Sequence, residues 1–315
     1  MPRSDYDELA RANERLRLEK HHAETVLHQV ATEKQQLEAY RTWVPPGHYY
    51  SPYPDLGDFD ARVDRLLDTA RDLPAVDLRD DAQLALFDDL APLMVGLPFP
   101  AERGDEHRYW FDNPAYSWGD GIVLHAMLRH VRPRRVVEVG SGYSSAMLLD
   151  TAEGWLDPGV AITFIEPYDE LLRSLLRPGD DERVTILDSA VQDVDPSVFT
   201  RLGAGDILFI DSTHVVKAGS DVNHLFFEVL PLLAPGVVVH VYDVFHLFEY
   251  PAQWVRDGRA WQEVYLLHAF LMYNHAFEIL WFQHLMWMRH REAIRARVPD
   301  VARNPGGNLW LRRAP

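Results

Sequence analysis

The sequence contains no cysteine, no apolar run long enough to span a bilayer, and too little positive charge to balance its acids. Without cysteine there is no disulfide, no thiolate zinc site and no cysteine nucleophile, which fits a cytoplasmic enzyme. Without a membrane-length apolar stretch or a signal-peptide pattern, the expectation is a chain with no membrane partner. A net charge of −17 argues against nucleic acid, because a polyanion would be repelled. The deficit is local. Residues 1–44 carry 7 basic and 8 acidic side chains, and residues 289–315 carry 7 arginines against Glu292 and Asp300. The acidity therefore belongs to the middle of the chain.

What is present is enough for a sizeable core: 315 residues, 47% of them hydrophobic, room for one large domain with additions. Residues 5–41 lack Gly and Pro and are rich in helix formers, which predicts one long helix. Leu9, Leu16, Ala23, Val30 and Leu37 recur every seven residues, beside a more polar row of Tyr6, Asn13, Lys20, Leu27 and Lys34. That is the seam of a weak coiled coil, and it makes a homodimer through residues 5–41 one expectation. The other is a solvated helix. The reading divides the chain into a long helix at 1–44, a linker and helical cap at 45–112, and a main domain at 113–315. Pro45, Pro46, Pro52 and Pro54 make 44–56 a loop, and its His48-Tyr49-Tyr50 is aromatic enough for either core packing or a substrate lid. Helical spacing follows at 58–73, 79–94 and 116–130.

From Val136 onward short Val/Ile/Leu runs alternate with helical segments. Strands are expected at 135–139, 160–165, 183–187, 206–210, 236–242, 276–283 and 307–312. Helices are expected near 144–153, 168–176, 196–202, 220–233 and 261–274. The alternation implies an α/β fold, a doubly wound, mostly parallel seven-stranded sheet with helices on both faces. Ligands of such sheets sit at the carboxyl ends of the strands. Those ends read Glu138-Val139-Gly140-Ser141-Gly142-Tyr143-Ser144-Ser145, then Glu166, then Asp188-Ser189-Ala190, then Asp211, then Asp243. Gly140 and Gly142 let a backbone approach a ligand closely, at a helix N-terminus that offers free N–H groups. A dinucleotide fingerprint would need Gly or Ala where Ser145 stands. An acid at Glu138 suits a cationic group better than a pyrophosphate.

Glu-x-Gly-x-Gly-Tyr-Ser at 138–144, with Glu166, Asp211 and the late strand pair, resembles the class I S-adenosylmethionine-dependent methyltransferases over roughly residues 113–315. The closer likeness is to a bacterial branch with Asp-x-x-His after the fourth strand. Here that is Asp211-Ser212-Thr213-His214, followed by Asp221-Val222-Asn223, Leu233-Ala234-Pro235-Gly236 and Asp243. The resemblance implies that Glu138, Gly140 and Gly142 meet the methionine part of S-adenosyl-L-methionine, with Ser141 and Ser144 also among the cofactor-binding residues. It implies that Glu166 holds the ribose, that Ser189 and Ala190 flank the adenine, and that Asn113 and Asp120 close the pocket. Asp211 and His214 fall on the acceptor side.

The sulfonium methyl is already electrophilic, so the protein must align an acceptor and take its proton. His214, with an ordinary pKa of about 6.5, is the expected general base, with Asp211 beside it. Tyr250, Asn274 and Asn308 are candidates for binding the acceptor. For a divalent metal, Asp211 and Asp243 match two ligands of metal-dependent relatives, but Val244 stands at the third. His214, Asp243 and His246 offer a two-histidine, one-carboxylate alternative, and a metal-free site stays open. The expected function is O-methylation of a small molecule. Two alternatives remain: cyclisation of the aminopropyl arm with release of methylthioadenosine on the same fold, and a non-catalytic assembly protein.

Overall fold

Seven strands alternate with helices, in a computed structural model that describes residues 3–39 and 43–315. The helices are α1 (Arg3–Ala39), α2 (Leu56–Asp60), α3 (Val63–Leu66), α4 (Asp80–Leu90), α5 (Trp118–Val131), α6 (Tyr143–Trp155), α7 (Glu170–Leu175), α8 (Ser197–Thr200), α9 (Asp221–His224), α10 (Ala252–Arg256), α11 (Glu263–Leu271) and α12 (Gln283–Arg297). The strands are β1 (Arg135–Val139), β2 (Ala161–Ile165), β3 (Val184–Leu187), β4 (Ile207–Ile210), β5 (Val238–Tyr242), β6 (Phe277–Phe282) and β7 (Asn308–Arg313). Each lies within about two residues of its expected run.

The strand order is β3-β2-β1-β4-β5-β7-β6, with β7 antiparallel to both neighbours. The chain starts in the middle of the sheet, winds outward through β2 and β3, then reverses through β4 and β5. The switch point between β1 and β4 therefore opens a crevice at the carboxyl ends of these strands, where a ligand fits. β4 and β5 are buried throughout, which explains their unbroken apolar character. One core lies between the sheet and α4, α5 and α6. The other lies between the sheet and the helices on the far face, including α11. Gln83, fully buried on α4, accepts a hydrogen bond from the Phe282 N–H at 2.7 Å and so ties α4 to the end of β6.

Two expected helices break up. The 58–73 pattern yields only α2 and α3, neither of which buries a residue, and a short helix without tertiary packing does not propagate. The 220–233 pattern begins as α9, passes into a π-turn at Leu225–Val229 and ends as a 3₁₀ turn at Leu230–Leu232. Pro231 has no N–H to continue the α pattern.

The chain divides into two units, Met1–Phe59 and Asp60–Pro315. In the first, α1 leaves Leu16, Leu27 and Val30 more than half exposed. Of the heptad seam, the side chains of Tyr6, Leu9, Asn13 and Leu37 lie outside the described residues. The 44–56 loop folds on itself, with the Gly47 N–H donating to the Tyr53 carbonyl and Trp43 stacked 5.3 Å from Tyr50. Among the described residues no helix is long and apolar enough to cross a membrane.

Candidate active site

Each strand on the ligand side hands its last hydrogen bond to a residue just beyond it. The Gly140 N–H donates to Ile165 at 3.0 Å, the Glu166 N–H to Leu187 at 3.1 Å and the Asp211 N–H to Val139 at 2.8 Å. The parallel ladder thus sets Gly140, Glu166 and Asp211 side by side. They line a cleft of about 440 Å³ together with Ala190, Gln192 and Thr213.

Gly140 has φ +79°, and a Cβ there would meet the Asp211 carbonyl oxygen at 1.8 Å. The glycine is required, but by the neighbouring strand end rather than by a ligand. Gly142 has φ 172°, an extended backbone open to any residue, so the local conformation does not require a glycine there. Its N–H donates to the Ser145 hydroxyl at 3.0 Å, capping α6.

Glu138 is fully buried. Ser144 donates to its Oε1 at 2.6 Å, while Oε2 has no partner. Burial pushes its pKa up to about 8, with Asp211 and Glu166 adding to the rise and the Ser144 and Ser145 hydroxyls opposing it. An unpartnered buried carboxylate oxygen costs free energy unless a donor or cation meets it. Glu166 is oriented by the N–H groups of Ser141, at 3.0 Å, and Tyr168, at 2.9 Å. The Ser141 hydroxyl is buried without a partner. Ala190 lines the cleft, whereas Ser189 makes a backbone turn to Leu187.

Beside the cleft lies a buried histidine set among acids. His214 is 5% exposed, and its Nδ1 lies 2.7 Å from Glu263 Oε2. Its Nε2 lies 3.5 Å from both Asp211 Oδ1 and Asp243 Oδ2. Ser212 donates to the other Glu263 oxygen at 3.0 Å. The N–H groups of Gln262 and Glu263, at the start of α11, donate to the His214 carbonyl, and Thr213 is held by Asp221 through both its N–H and its hydroxyl. His214 and Asp243 adopt φ of +60° and +54°, a left-handed backbone that costs about 1–3 kcal/mol for such residues and is often retained at functional sites. Burial alone would lower the His214 pKa. The bonds to Asp211 and Glu263 outweigh it and raise the group well above its ordinary value. Asp243 is pushed up to about 8 by burial, against the pull of His214 and with Asp211 and Asp120 adding to the rise.

Several expected site residues have other duties. Asn113 donates to the carbonyls of Trp110 and Tyr116 and accepts from the N–H groups of Ala115 and Tyr116. Its side chain holds a turn and has no polar valence left for a cofactor. Asp120 accepts from the Gly307 N–H at 3.0 Å and from Asn308 Nδ2 at 2.7 Å, while Asn308 accepts from Trp310. Asp120 and Asn308 thus lock α5 to the start of β7. Asn274 precedes β6, which runs parallel to β1–β5, and so sits at the amino end of the sheet. It lines a separate cavity of about 210 Å³, away from the chemistry. Tyr250 is near the site, with its ring 5.7 Å from Trp261 and its hydroxyl accepting from the Val264 N–H.

His246 does not join the His214 group. Its backbone N–H donates to His284 Nδ1 at 3.0 Å, and its ring meets the Thr69 backbone and the charges of Arg289, Arg71 and Asp80. Among the described residues no group of three or more His, Asp or Glu side chains is arranged to hold a metal ion. Because His246 packs against His284 instead, Asp211, His214, Asp243 and His246 are not a common ligand set. Glu263 and Trp261 are the residues that sequence reasoning missed. Glu263 is a lone acid at the start of an apolar helix, a common place for one, and nothing local marks it as a partner of His214.

Residues 137–244 match the family described as methyltransferase domain. An uncharacterised protein of Archaeoglobus fulgidus is 31% identical over 166 residues, covering 50% of this chain and 73% of that protein. Among solved structures, the O-methyltransferase TomG from Streptomyces achromogenes, in complex with SAM, has a TM-score of 0.42 at 19% identity, covering 82% of this chain and 96% of that one. The SAH-bound methyltransferase PaMTH1 of Podospora anserina has a TM-score of 0.42 at 16% identity, covering 87% of this chain and 100% of that one.

Proposed function

We propose that this chain, whose residues 137–244 match a methyltransferase-domain family, is a class I S-adenosylmethionine-dependent methyltransferase that methylates a hydroxyl oxygen of a small molecule with His214 as general base. The carrying observation is the 2.7 Å contact between His214 Nδ1 and Glu263, with Nε2 turned toward Asp211 on the wall of the cleft.

The residues present fit the cofactor. Glu138 offers a buried carboxylate oxygen with no partner, suited to a cationic group, and Glu166 stands at the end of β2 with its carboxylate already oriented, suited to ribose hydroxyls. When bound, S-adenosyl-L-methionine supplies a methyl on a sulfonium, already activated for transfer to a nucleophile. The chain's task is to orient the acceptor and remove its proton. Glu263 keeps a proton on Nδ1 and so leaves Nε2 as the atom that accepts the hydroxyl proton. Asp211 and Asp243 flank that atom and favour the imidazolium that results. The same carboxylates keep His214 charged in the resting site, so the competent base form grows as pH rises.

The test is a mass-spectrometric methylation screen over hydroxylated metabolites, run with wild type and His214→Gln. Loss of a general base lowers turnover by about 10²–10⁴, with cofactor affinity kept. Full turnover by the variant would remove His214 from the mechanism. Methylthioadenosine in place of S-adenosylhomocysteine as product would replace methyl transfer by cyclisation.

A further inference from the structure

His214 is flanked by an aromatic wall that proton removal does not require. The Trp261 ring lies 4.4 Å from the imidazole. Trp254 meets Trp261 edge-on at 5.4 Å, and Phe245 meets Trp254 at 5.2 Å. Trp254, Trp261 and Phe245 are each only half-buried, so part of every ring faces outward.

Arg259 sits between the two indoles. Its guanidinium is 4.3 Å from the Trp254 ring and 5.0 Å from the Trp261 ring. Three residues earlier, Arg256 is bound to Asp60 at 2.8 Å. Arg259 is exposed and forms no ion pair among the described residues. This is an unusual place to leave a cation unpaired, because the surrounding charge is acidic: Asp211, Asp243 and Glu263 around His214, and Glu249 near Tyr250 and Tyr265. The two indoles meet at 77°, so the guanidinium is held close to both rings, and a guanidinium so placed can pair a carboxylate bidentately.

The acids set a polarity on any acceptor. A carboxylate beside Asp211 would be repelled, so an acidic group must lie at the far end of the molecule from the reacting hydroxyl. A planar ring between the two ends would lie against Trp261. We propose that the acceptor is a hydroxylated aromatic acid, its hydroxyl at His214 Nε2, its ring along Trp261 and its carboxylate in the fork of Arg259. This assignment rests on the methyl-transfer reading of His214.

The test is calorimetric titration of the intact chain, saturated with S-adenosylhomocysteine, using 4-hydroxycinnamate and its neutral amide as probes. Wild type is expected to bind the acid about 10-fold or more tighter than the amide, the effect of one charge-assisted pair. Arg259→Gln should bring the two probes level by weakening the acid alone, and Arg259→Lys should recover part of the difference. Equal binding of the two probes by wild type overturns the proposal. So does an Arg259→Gln variant that weakens both alike, which would mark a structural role. If S-adenosylhomocysteine binds but neither probe does, only this proposal falls. If S-adenosylhomocysteine itself fails to bind, the methyltransferase reading falls with it.

Discussion

The Glu263→Gln substitution removes one negative charge and preserves the shape of a side chain that is 1% exposed. The new amide oxygen can still accept from His214 Nδ1, and the amide nitrogen can donate to the Ser212 hydroxyl that Glu263 now accepts from. What is lost is the charge on a bond of 2.7 Å. A hydrogen bond to a charged group contributes about 1.5–3 kcal/mol, against about 0.5–1.5 kcal/mol for a neutral one, so the substitution costs about 1–2 kcal/mol. In wild type, burial works to lower the His214 pKa, and the bonds to Asp211 and Glu263 overcome it. Weakening one of those bonds therefore lowers the group.

Two consequences have opposite pH windows. The base form of His214 appears at lower pH, so the rising limb of kcat against pH moves down by about one pH unit, the equivalent of about 1.4 kcal/mol. Because the folded pKa lies above the unfolded value of about 6.5, the pair's stabilisation is complete below that value and is lost as pH rises through the folded pKa. The variant is then most destabilised at a pH below the unfolded value of about 6.5, and the deficit narrows at a pH above the folded one. The assays are a pH profile of turnover on the best acceptor from the screen and thermal unfolding at both pH values. A limb that stays in place, or a stability deficit equal at both pH values, would refute the account of His214 as a base held by Glu263.

Three further outcomes follow from other parts of the molecule. Gly140→Ala should destabilise by about 1–3 kcal/mol and abolish cofactor binding, since its Cβ collides with the Asp211 carbonyl in a left-handed backbone; urea unfolding with a cofactor titration checks both. Glu138, with its pKa pushed up to about 8, should release a proton when a cationic ligand binds, so cofactor affinity rises with pH toward that value. Calorimetry in two buffers of different ionisation enthalpy reads the proton, and Glu138→Gln should release none. If α1 pairs two copies through the exposed Leu16, Leu27 and Val30, deleting residues 1–44 should convert a dimer to a monomer by sedimentation; an unchanged oligomeric state would exclude pairing through this helix.

Much of this site was legible in one dimension because its residues sit at strand ends. Once β1, β2 and β4 are recognised as apolar runs, Gly140, Glu166 and Asp211 must lie side by side, since parallel pairing extends one residue beyond each strand. Asn113 and Asn274 misled for a related reason. A side-chain amide near a boundary looks available, and only the turn around Asn113 and the direction of β6 show that the first is spent on a turn and the second lies at the amino end of the sheet.

By itself the sequence determined the alternation of strands and helices, the cleft and the acids that line it, because periodicity and chain order settle what a parallel sheet places at its carboxyl edge. Tertiary structure alone decided which of those acids act on His214. Glu263 lies 49 residues further along the chain, and the two meet only because α11 returns to the end of β4 and caps the His214 carbonyl. Contact across that separation carries no local pattern. Nor does the exchange of roles at the first turn: the ladder puts the Asp211 carbonyl where a side chain on Gly140 would be, so the glycine serves the sheet, and the buried, half-partnered Glu138 is left to meet the ligand.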